Sequence, residues 1–446
     1  MKLFGTDGVR GVANKYPVTA EIALLLGRAA AIVLGSKKKA VFLIGKDTRL
    51  SGYMLENAIT AGLTSMGADV LLVGPMPTPA VAHLTRSFAA DAGIMISASH
   101  NPWTDNGIKF FDRDGKKLPD KVEEKIEELV LTNNIKSEHI GAKEIGRAYR
   151  IDDAAGRYIE FAKGTIMNLS LKGLKIVLDC ANGAAYKVAP LILKELGAIV
   201  YPLNNTPDGN NINLDCGALH PENVRTEVLK QKADLGITLD GDADRVLLVD
   251  ENGNILDGDH ILAMSGLYLL EKKMLKNNTI VVTEYTNLAF DDLIRKHDGH
   301  IIRTKNGDRY VIEEMNNSGN NLGGEFSGHI IFSDHNTTGD GMIAALQILR
   351  IMKEKNLPLS ILSSCLKKYP QVIISVNVKD KKPIEKMSSV QQKVKYAEKM
   401  LGSKGRHLIR YSGTEMKARV MIEGSDEILI RKLAEDIANE IKKEAN

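Results

Sequence analysis

The chain has 446 residues, of which 43% are hydrophobic and 26% charged, so it is an ordinary globular chain too long for one hydrophobic core. A net charge of +3, without a basic stripe interleaved with aromatic residues, argues against nucleic acid and anionic membranes as partners. Three widely spaced cysteines without a CxxC pair argue against a zinc site or a disulfide framework. No apolar segment is long enough to span a bilayer and the N-terminus has no signal core, so we expect a cytoplasmic protein.

The first block of the chain, residues 1–150, alternates apolar strand-like runs with helical segments. Strands are expected at residues 40–44 and 69–73, with a helix between them that ends near Met66. Strands that alternate with helices predict a parallel or mostly parallel sheet, which binds ligands at the polar loops after its strands. Residues 120–143 predict an exposed amphipathic helix and then a connector.

One polar loop of this block lies within residues 94–111, between two short apolar runs that predict buried strands. Its Asn-Pro and Asn-Gly pairs predict turns, so two hydroxyls, an imidazole and an ammonium should meet at the rim of a sheet. A serine on such a loop is a candidate nucleophile. An ordinary turn capped by serine and asparagine is the competing interpretation.

Two more α/β blocks are expected at residues 151–250 and 251–365. Their predicted strands are residues 174–178, 198–201, 235–239, 246–249, 280–282 and 301–302. The last block, residues 366–446, has strands at 372–378 and 418–423, each followed by a helix. We expect Ser425 to cap the final helix and one apolar face to pack it. That face comprises Ile430, Leu433, Ala434, Ile437 and Ile441.

Asp240, Asp242 and Asp244 alternate along residues 239–245, at the end of an apolar strand. Three adjacent carboxylates raise one another's pKa unless a cation neutralises them, and hard oxygen ligands suit Mg²⁺. An aspartyl-phosphate phosphatase, with Asp240 as the nucleophile and Asp242 as the acid, is an alternative from the hydrolase class.

Two further loops carry polar groups that could recognise a sugar phosphate. Residues 410–415 combine hydroxyls, glycine and arginine, and Arg419 could add a second guanidinium for an anion. Residues 323–329 place a carboxylate, a hydroxyl and an imidazole in a glycine-framed loop, which suits sugar hydroxyls. Because the polar loops lie in different blocks, we expect one ligand to meet them in a cleft between domains.

In this combination and order, the motifs resemble the α-D-phosphohexomutase superfamily, most closely its bacterial branch that acts on glucosamine phosphates. The segments that carry the resemblance are residues 4–11, 96–102, 105–111, 179–184 and 307–311. The resemblance implies four domains around a central cleft, three related α/β domains and a smaller C-terminal α+β domain. They would be residues 1–150 with the phosphoserine loop, 151–250 with the metal loop, 251–365 with the sugar loop and 366–446 with the phosphate-binding loop.

The resemblance also implies residue roles. Ser99 would be carried as phosphoserine and would hold one Mg²⁺ per subunit together with Asp240, Asp242 and Asp244. The other catalytic residues would be Arg10, His100, Lys109 and His329, with Lys109 a candidate general base. The substrate-binding residues would be Arg245, Gly307, Asp308, Glu325, Ser327, Arg410, Ser412, Gly413, Thr414 and Arg419.

The implied activity interconverts glucosamine 6-phosphate and glucosamine 1-phosphate, with glucosamine 1,6-bisphosphate as intermediate and activator, and supplies peptidoglycan precursors. Phosphomannomutase or phosphoglucomutase activity stays open, because Phe326 lies at a position that varies between branches. Two other classes compete, the Mg-dependent aspartyl-phosphate phosphatase and a non-catalytic sugar-phosphate sensor. The implied partners are small sugar phosphates, and a homodimer is compatible with the resemblance.

Overall fold

The structure is a computed structural model that describes residues 3–5, 7–35, 39–132, 135, 140–411 and 416–445. The chain forms two compact units, the first made of Met1–Tyr285 with Gly299–Ser364 and the second of Thr286–Asp298 with Cys365–Asn446. Among the described residues, no helix is both long and apolar enough to span a bilayer.

The strands of the described residues form four sheets, three in the first unit and one in the second. The first sheet contains β1 (Phe4–Gly5), β2 (Gly8–Val12), β3 (Val41–Lys46), β4 (Asp69–Pro75), β5 (Ala92–Ile96), β6 (Asp105–Asp112) and β7 (Ala148–Arg150). The second contains β8 (Lys175–Asp179), β9 (Ile199–Leu203), β10 (Leu235–Leu239), β11 (Val246–Asp250) and β12 (Ile255–Leu256). The third contains β13 (Thr279–Thr283), β14 (His300–Thr304), β15 (Leu322–Gly324) and β16 (Ile330–Phe332). The fourth contains β17 (Gln371–Asn377), β18 (Gly405–Tyr411) and β19 (Lys417–Gly424).

The described helices connect and cover these sheets. Those of residues 1–285 are α1 (Ala20–Leu34), α2 (Ser51–Thr64), α3 (Thr78–Ser87), α4 (Asp120–Leu131), α5 (Ala154–Gly164), α6 (Val188–Glu195), α7 (Glu222–Gln231) and α8 (Gly258–Glu271). Those that follow are α9 (Leu288–Lys296), α10 (Asp308–Ser318), α11 (Gly341–Lys355), α12 (Leu359–Ser363), α13 (Ser388–Leu401) and α14 (Glu427–Glu444).

The first sheet has the order β1-β2-β6-β5-β3-β4-β7 and is mixed. Strand β3 runs parallel to β4 and β5, as predicted, but β6 pairs antiparallel with both β5 and β2. The expectation of a mostly parallel sheet is therefore wrong at this edge. The physical reason is the short connection after β5, residues 97–104, because a parallel return needs a crossover of a dozen residues or more.

The first sheet is buried at its centre. Every residue of β5 is buried, and β3 is buried from Phe42 onward, as befits strands covered on both faces. Helix α1, capped by the Thr19 hydroxyl, buries Leu26 and its small residues against this core. The polar loops at the strand ends are thereby held on a rigid support.

The second unit is a smaller α+β structure. Its sheet has the order β17-β19-β18 and is entirely antiparallel. All five residues predicted for the apolar face of α14 are buried in its core. The prediction that Ser425 caps α14 is wrong by one position. Asp426 is the cap, and its side chain accepts hydrogen bonds from the Ile428 and Leu429 amides. Both residue types cap helices well, so the sequence did not separate these neighbours.

Candidate functional site

The loop between β5 and β6, residues 97–104, carries Ser99, which is 1% exposed. The Ser99 Oγ donates a hydrogen bond of 2.6 Å to Oδ2 of Asp240. Its amide donates to the Ser97 hydroxyl at 2.9 Å, and His100 Nδ1 lies 3.5 Å from Ser99 Oγ. The predicted nucleophile and the predicted metal loop therefore meet in the first unit.

The three predicted carboxylates lie on the connection from β10 to β11. Asp240, Asp242 and Asp244 are all buried, and one ligand oxygen of each lies within 4.8 Å of the others. Among the described residues, Oδ1 of Asp242 has no hydrogen-bond partner although it is buried. Gly241 allows the close approach of the serine loop, since a Cβ there would lie 2.6 Å from the carbonyl oxygen of Ser99.

The electrostatics of these carboxylates favour a bound cation. Burial, together with the charges of Asp244 and Asp242, raises the pKa of Asp240 well above its usual range. Burial alone would raise the pKa of Asp242 too, but Lys109 and the Thr78 hydroxyl hold it below its usual value. Three buried carboxylate groups that lie close together are the kind of oxygen ligands that a hard divalent cation takes. The triad could hold a metal ion.

Lys109, on β6, lies among carboxylates. Its Nζ is 3.0 Å from Asp242, 3.2 Å from Asp7 and 3.8 Å from Asp244. Burial alone would lower the pKa of Lys109, but these three carboxylates raise it well above its usual value. Arg10 forms an ion pair with the same Asp7. These carboxylates thus favour the charged ammonium form of Lys109.

The glycine-framed loop of the third sheet lies beside the triad. Glu325 is 7% exposed; its Oε1 accepts from the Gly307 amide at 3.2 Å and its Oε2 from the Ser327 hydroxyl at 3.3 Å. His329 Nδ1 lies 3.6 Å from Asp244 Oδ1. Burial alone would lower the pKa of His329, but Asp244 and then Asp308 raise it to about 9.

The remaining predicted residues of the first unit join this network. His329 Nε2 lies 3.6 Å from Asp308, which also pairs with Lys117. Arg245 Nε is 3.9 Å from Asp244, and its amide donates to Asp240 at 3.2 Å. Burial and then the charge of Arg245 lower the pKa of His100 to about 4, so His100 is neutral at neutral pH.

The second unit holds the predicted phosphate-binding residues. Arg410 on β18 is the direct cross-strand partner of Arg419 on β19. Two guanidinium groups at paired positions of neighbouring strands could both donate hydrogen bonds to one anion. Ser412, Gly413 and Thr414 lie outside the described residues.

Sequence reasoning missed two residues that order the site. The Thr78 hydroxyl bonds Asp242, whereas Lys117 bonds both Asp7 and Asp308. The loop after β4 that ends at Thr78 was visible as a polar loop at the carboxyl end of a strand, which is a usual ligand position. No local pattern marked Lys117.

Comparison with known proteins agrees with this architecture. Family models described as phosphoglucomutase/phosphomannomutase match the alpha/beta/alpha domains I, II and III at residues 1–136, 156–253 and 257–369, and the C-terminal domain at 373–440. A phosphoglucosamine mutase of Pelobacter propionicus is 55% identical over 445 residues, covering 99% of this chain and 98% of that protein.

Two solved structures share the fold. A phosphoglucomutase/phosphomannomutase family protein from Burkholderia thailandensis superposes with a TM-score of 0.83 at 24% identity, covering 99% of this chain and 97% of that one. Aspergillus fumigatus N-acetylphosphoglucosamine mutase, in complex with GlcNAc-6P and magnesium, gives 0.70 at 18% identity, covering 100% and 96%.

Three α/β domains and a C-terminal domain define a phosphohexomutase architecture. The chain belongs to the phosphoglucomutase/phosphomannomutase family, whose members are isomerases. The superfamily and the fold class expected from the sequence motifs are both confirmed.

Proposed function

We propose that the chain is a phosphoglucosamine mutase that interconverts glucosamine 6-phosphate and glucosamine 1-phosphate. The relatives that carry this name span nearly the whole chain at about 55% identity. The observation that carries the chemistry is the 2.6 Å contact of Ser99 Oγ with Asp240, inside a buried carboxylate triad. It places a hydroxyl that can hold a phosphoryl group beside ligands for the cation that such a group needs.

The reaction runs through phosphorylated Ser99. The sugar O1 attacks this phosphorus, the bond from phosphorus to Ser99 Oγ breaks, and the O1 proton is lost, which yields glucosamine 1,6-bisphosphate. The bisphosphate turns end for end. Ser99 Oγ then attacks the 6-phosphorus, the bond to O6 breaks, and O6 gains a proton as glucosamine 1-phosphate forms. Phosphate is neither consumed nor released, and added bisphosphate activates a chain that has lost its phosphoryl group.

Asp240, Asp242, Asp244 and the Ser99 phosphate would hold one Mg²⁺. When bound, Mg²⁺ supplies Lewis-acid neutralisation of charge on the transferring phosphoryl group. The partner-free Oδ1 of Asp242 supports this assignment, because a buried carboxylate oxygen is costly to leave without a partner.

The side chains around Ser99 divide into two kinds. Lys109 and Arg10 are cations that stabilise negative charge on the phosphoryl group as it is transferred, and His329 lies beside Asp244. Neutral His100, 3.5 Å from Ser99 Oγ, is the better placed group to accept a proton. The surroundings of Lys109 favour its charged form, and its role as a general base stays a prediction.

The sugar and the distant phosphate are assigned to the remaining predicted residues. Glu325 and Ser327 would bind sugar hydroxyls, with Gly307, Asp308 and Arg245 beside them. The non-reacting phosphate would bind Arg410, Ser412, Gly413, Thr414 and Arg419. Domain limits at residues 150, 250 and 365, and a homodimer, are part of the same proposal.

One assay separates the candidate functions. Purified chain with Mg²⁺ and bisphosphate is given glucosamine, glucose or mannose 6-phosphate, and both sugar 1-phosphate and free phosphate are measured. We expect the highest kcat/KM with glucosamine and no net phosphate release. Ser99→Ala should be inactive, whereas Ser87→Ala, on an exposed residue of α3, should match the wild type. Phosphate release that survives Ser99→Ala would favour the phosphatase, and a glucose or mannose preference would change the substrate.

A further inference from the structure

Ser99 has an unusual backbone conformation. Its φ is 52°, in the left-handed region that residues other than glycine, asparagine and aspartate seldom adopt. Such a conformation persists only where the surroundings hold it. The contacts that hold Ser99 therefore decide where its hydroxyl points.

Two side chains donate hydrogen bonds to the backbone carbonyls on both sides of His100. Arg49 Nη2 donates to the carbonyl oxygens of Ser99 and Asn101, at 3.1 Å and 2.6 Å. Asn213 Nδ2 donates to the same two oxygens, at 2.8 Å and 3.0 Å. Each carbonyl thus accepts two hydrogen bonds, one from a guanidinium and one from an amide.

Arg49 is itself held rigidly. It is 0% exposed and forms an ion pair with Asp47, which is equally buried. The segment that carries both residues is hydrogen-bonded to loops of the second sheet. Thr48 Oγ1 donates to the Asn182 carbonyl at 2.5 Å, and the Leu50 amide donates to the Gly209 carbonyl at 2.9 Å. Arg49 therefore links the serine loop to a second part of the first unit.

Asn213 lies next to the metal loop. A Cβ added at Gly241 would lie 2.8 Å from Asn213 Nδ2 and 2.6 Å from the Ser99 carbonyl oxygen, so these three groups are in close contact. Asn213 is anchored by its own amide, which donates to the Ala181 carbonyl at 2.9 Å. The same side chain thus sets the spacing between the serine loop and the carboxylate loop.

We propose that Arg49 and Asn213 are positioning residues for Ser99, which together hold the serine loop in the conformation that directs Ser99 Oγ at Asp240. The proposal rests on the phosphoserine chemistry proposed above. Displacement of a reacting group by about 1 Å can lower a rate by about 100-fold. Removal of one of the two donors should therefore act on kcat, while KM for the sugar phosphate, whose phosphate and hydroxyls bind elsewhere, stays nearly constant.

The test compares Asn213→Ala with Asn210→Ala, which alters an exposed asparagine of the same loop whose backbone amide donates to Asp208. We expect Asn213→Ala to lower kcat at least 10-fold with KM within about 2-fold, and Asn210→Ala to match the wild type. Arg49→Lys, which keeps a cation for buried Asp47 but loses the planar fork, should also lower kcat.

A second readout does not depend on turnover. Hydrogen exchange followed by mass spectrometry should show faster exchange of the amides at 97–104 in Asn213→Ala and unchanged exchange in the helices of the first unit. Unchanged kcat and unchanged exchange in Asn213→Ala would overturn the proposal, as would a loss of activity that only parallels global unfolding. If the wild type is inactive but Asn213→Ala still shows faster exchange at 97–104, the mutase function is refuted. The role of Asn213 in holding the serine loop then still stands.

Discussion

Thr78 Oγ1 donates a hydrogen bond of 2.6 Å to Oδ2 of Asp242, and the Thr78 amide donates to the Asp242 carbonyl at 2.9 Å. Thr78 opens helix α3 and is 1% exposed. A ligand carboxylate held by a buried hydroxyl presents its other oxygen in one direction. Here that other oxygen is the partner-free Oδ1 of Asp242.

Thr78→Val should weaken Mg²⁺ binding without loss of the fold. Removal of a group that orients a metal ligand typically costs 10-fold or more in metal affinity, so we expect about a 10-fold higher Mg²⁺ concentration for half-maximal activity. Titration calorimetry with Mn²⁺ gives the same comparison without turnover. The control is Thr85→Val on the same helix, whose hydroxyl donates to the Val81 carbonyl. Equal Mg²⁺ affinity in both variants would contradict this role of Thr78.

Gly241→Ala should abolish most activity. The added methyl group would lie 2.6 Å from the Ser99 carbonyl oxygen, so the serine and carboxylate loops must move apart. Such overpacking costs about 1–3 kcal/mol, and we expect kcat to fall at least 100-fold while the circular dichroism spectrum is retained. Gly156→Ala, on α5 with open space around a Cβ, is the matched control and should keep full activity. Full activity of Gly241→Ala would show that the two loops need not touch.

Arg410→Ala and Arg419→Ala should each raise KM for the sugar phosphate more than they lower kcat. The two residues are cross-strand partners, and loss of either leaves one guanidinium for the phosphate. A charge-assisted hydrogen bond is worth about 1.5–3 kcal/mol, so KM should rise about 10- to 100-fold. Arg431→Ala removes an exposed arginine of α14 and should change nothing measurable. If the KM values of all three variants equal that of the wild type, the phosphate binds elsewhere.

Asp340 should make the stability of the first unit depend on pH. Burial raises the pKa of Asp340 to about 6, although hydrogen bonds from the Ile343 amide, Tyr158 and Asn336 oppose this. Because the native state holds the proton more tightly than the unfolded state, this stabilisation is present below about pH 4 and is lost as the pH rises through about 6. Between pH 5 and 7.5 the unfolding free energy of the wild type should therefore fall by about 1 kcal/mol relative to Asp340→Asn. Urea unfolding at these pH values measures it, and a constant difference between the two proteins would refute the shift.

The sequence predicted those features that depend on neighbours in the chain. Strand β10 was predicted with its observed limits, and the apolar face of α14 is buried as expected. Both predictions use the spacing of apolar residues within one short segment of the chain. The antiparallel edge of the first sheet was not foreseen, since it depends on how β6 returns beside β5. The direction in which β6 pairs with β5 depends on the length of the loop between them and on how that loop folds.

The same limit applies to the site. The carboxylate triad was recognisable because its three members alternate within five residues, whereas Thr78 bonds a carboxylate 164 residues away. Likewise, Asn213 bonds a carbonyl 114 residues away, and no spacing rule connects them. Lys109 was predicted as a site residue, but the pKa of its ammonium group depends on burial and on Asp242 and Asp7, which lie in other parts of the chain. Its role stays a prediction.

In the proposed reaction, Ser99 carries the phosphoryl group that is exchanged with the sugar. The most direct measurement incubates the protein and Mg²⁺ with phosphorus-labelled glucosamine 1,6-bisphosphate and maps the label by peptide mass spectrometry. We predict label on Ser99, transferable to unlabelled glucosamine 6-phosphate, and none in Ser99→Ala. Interconversion of the two sugar phosphates while Ser99 stays unlabelled would show that Ser99 does not carry the exchanged group.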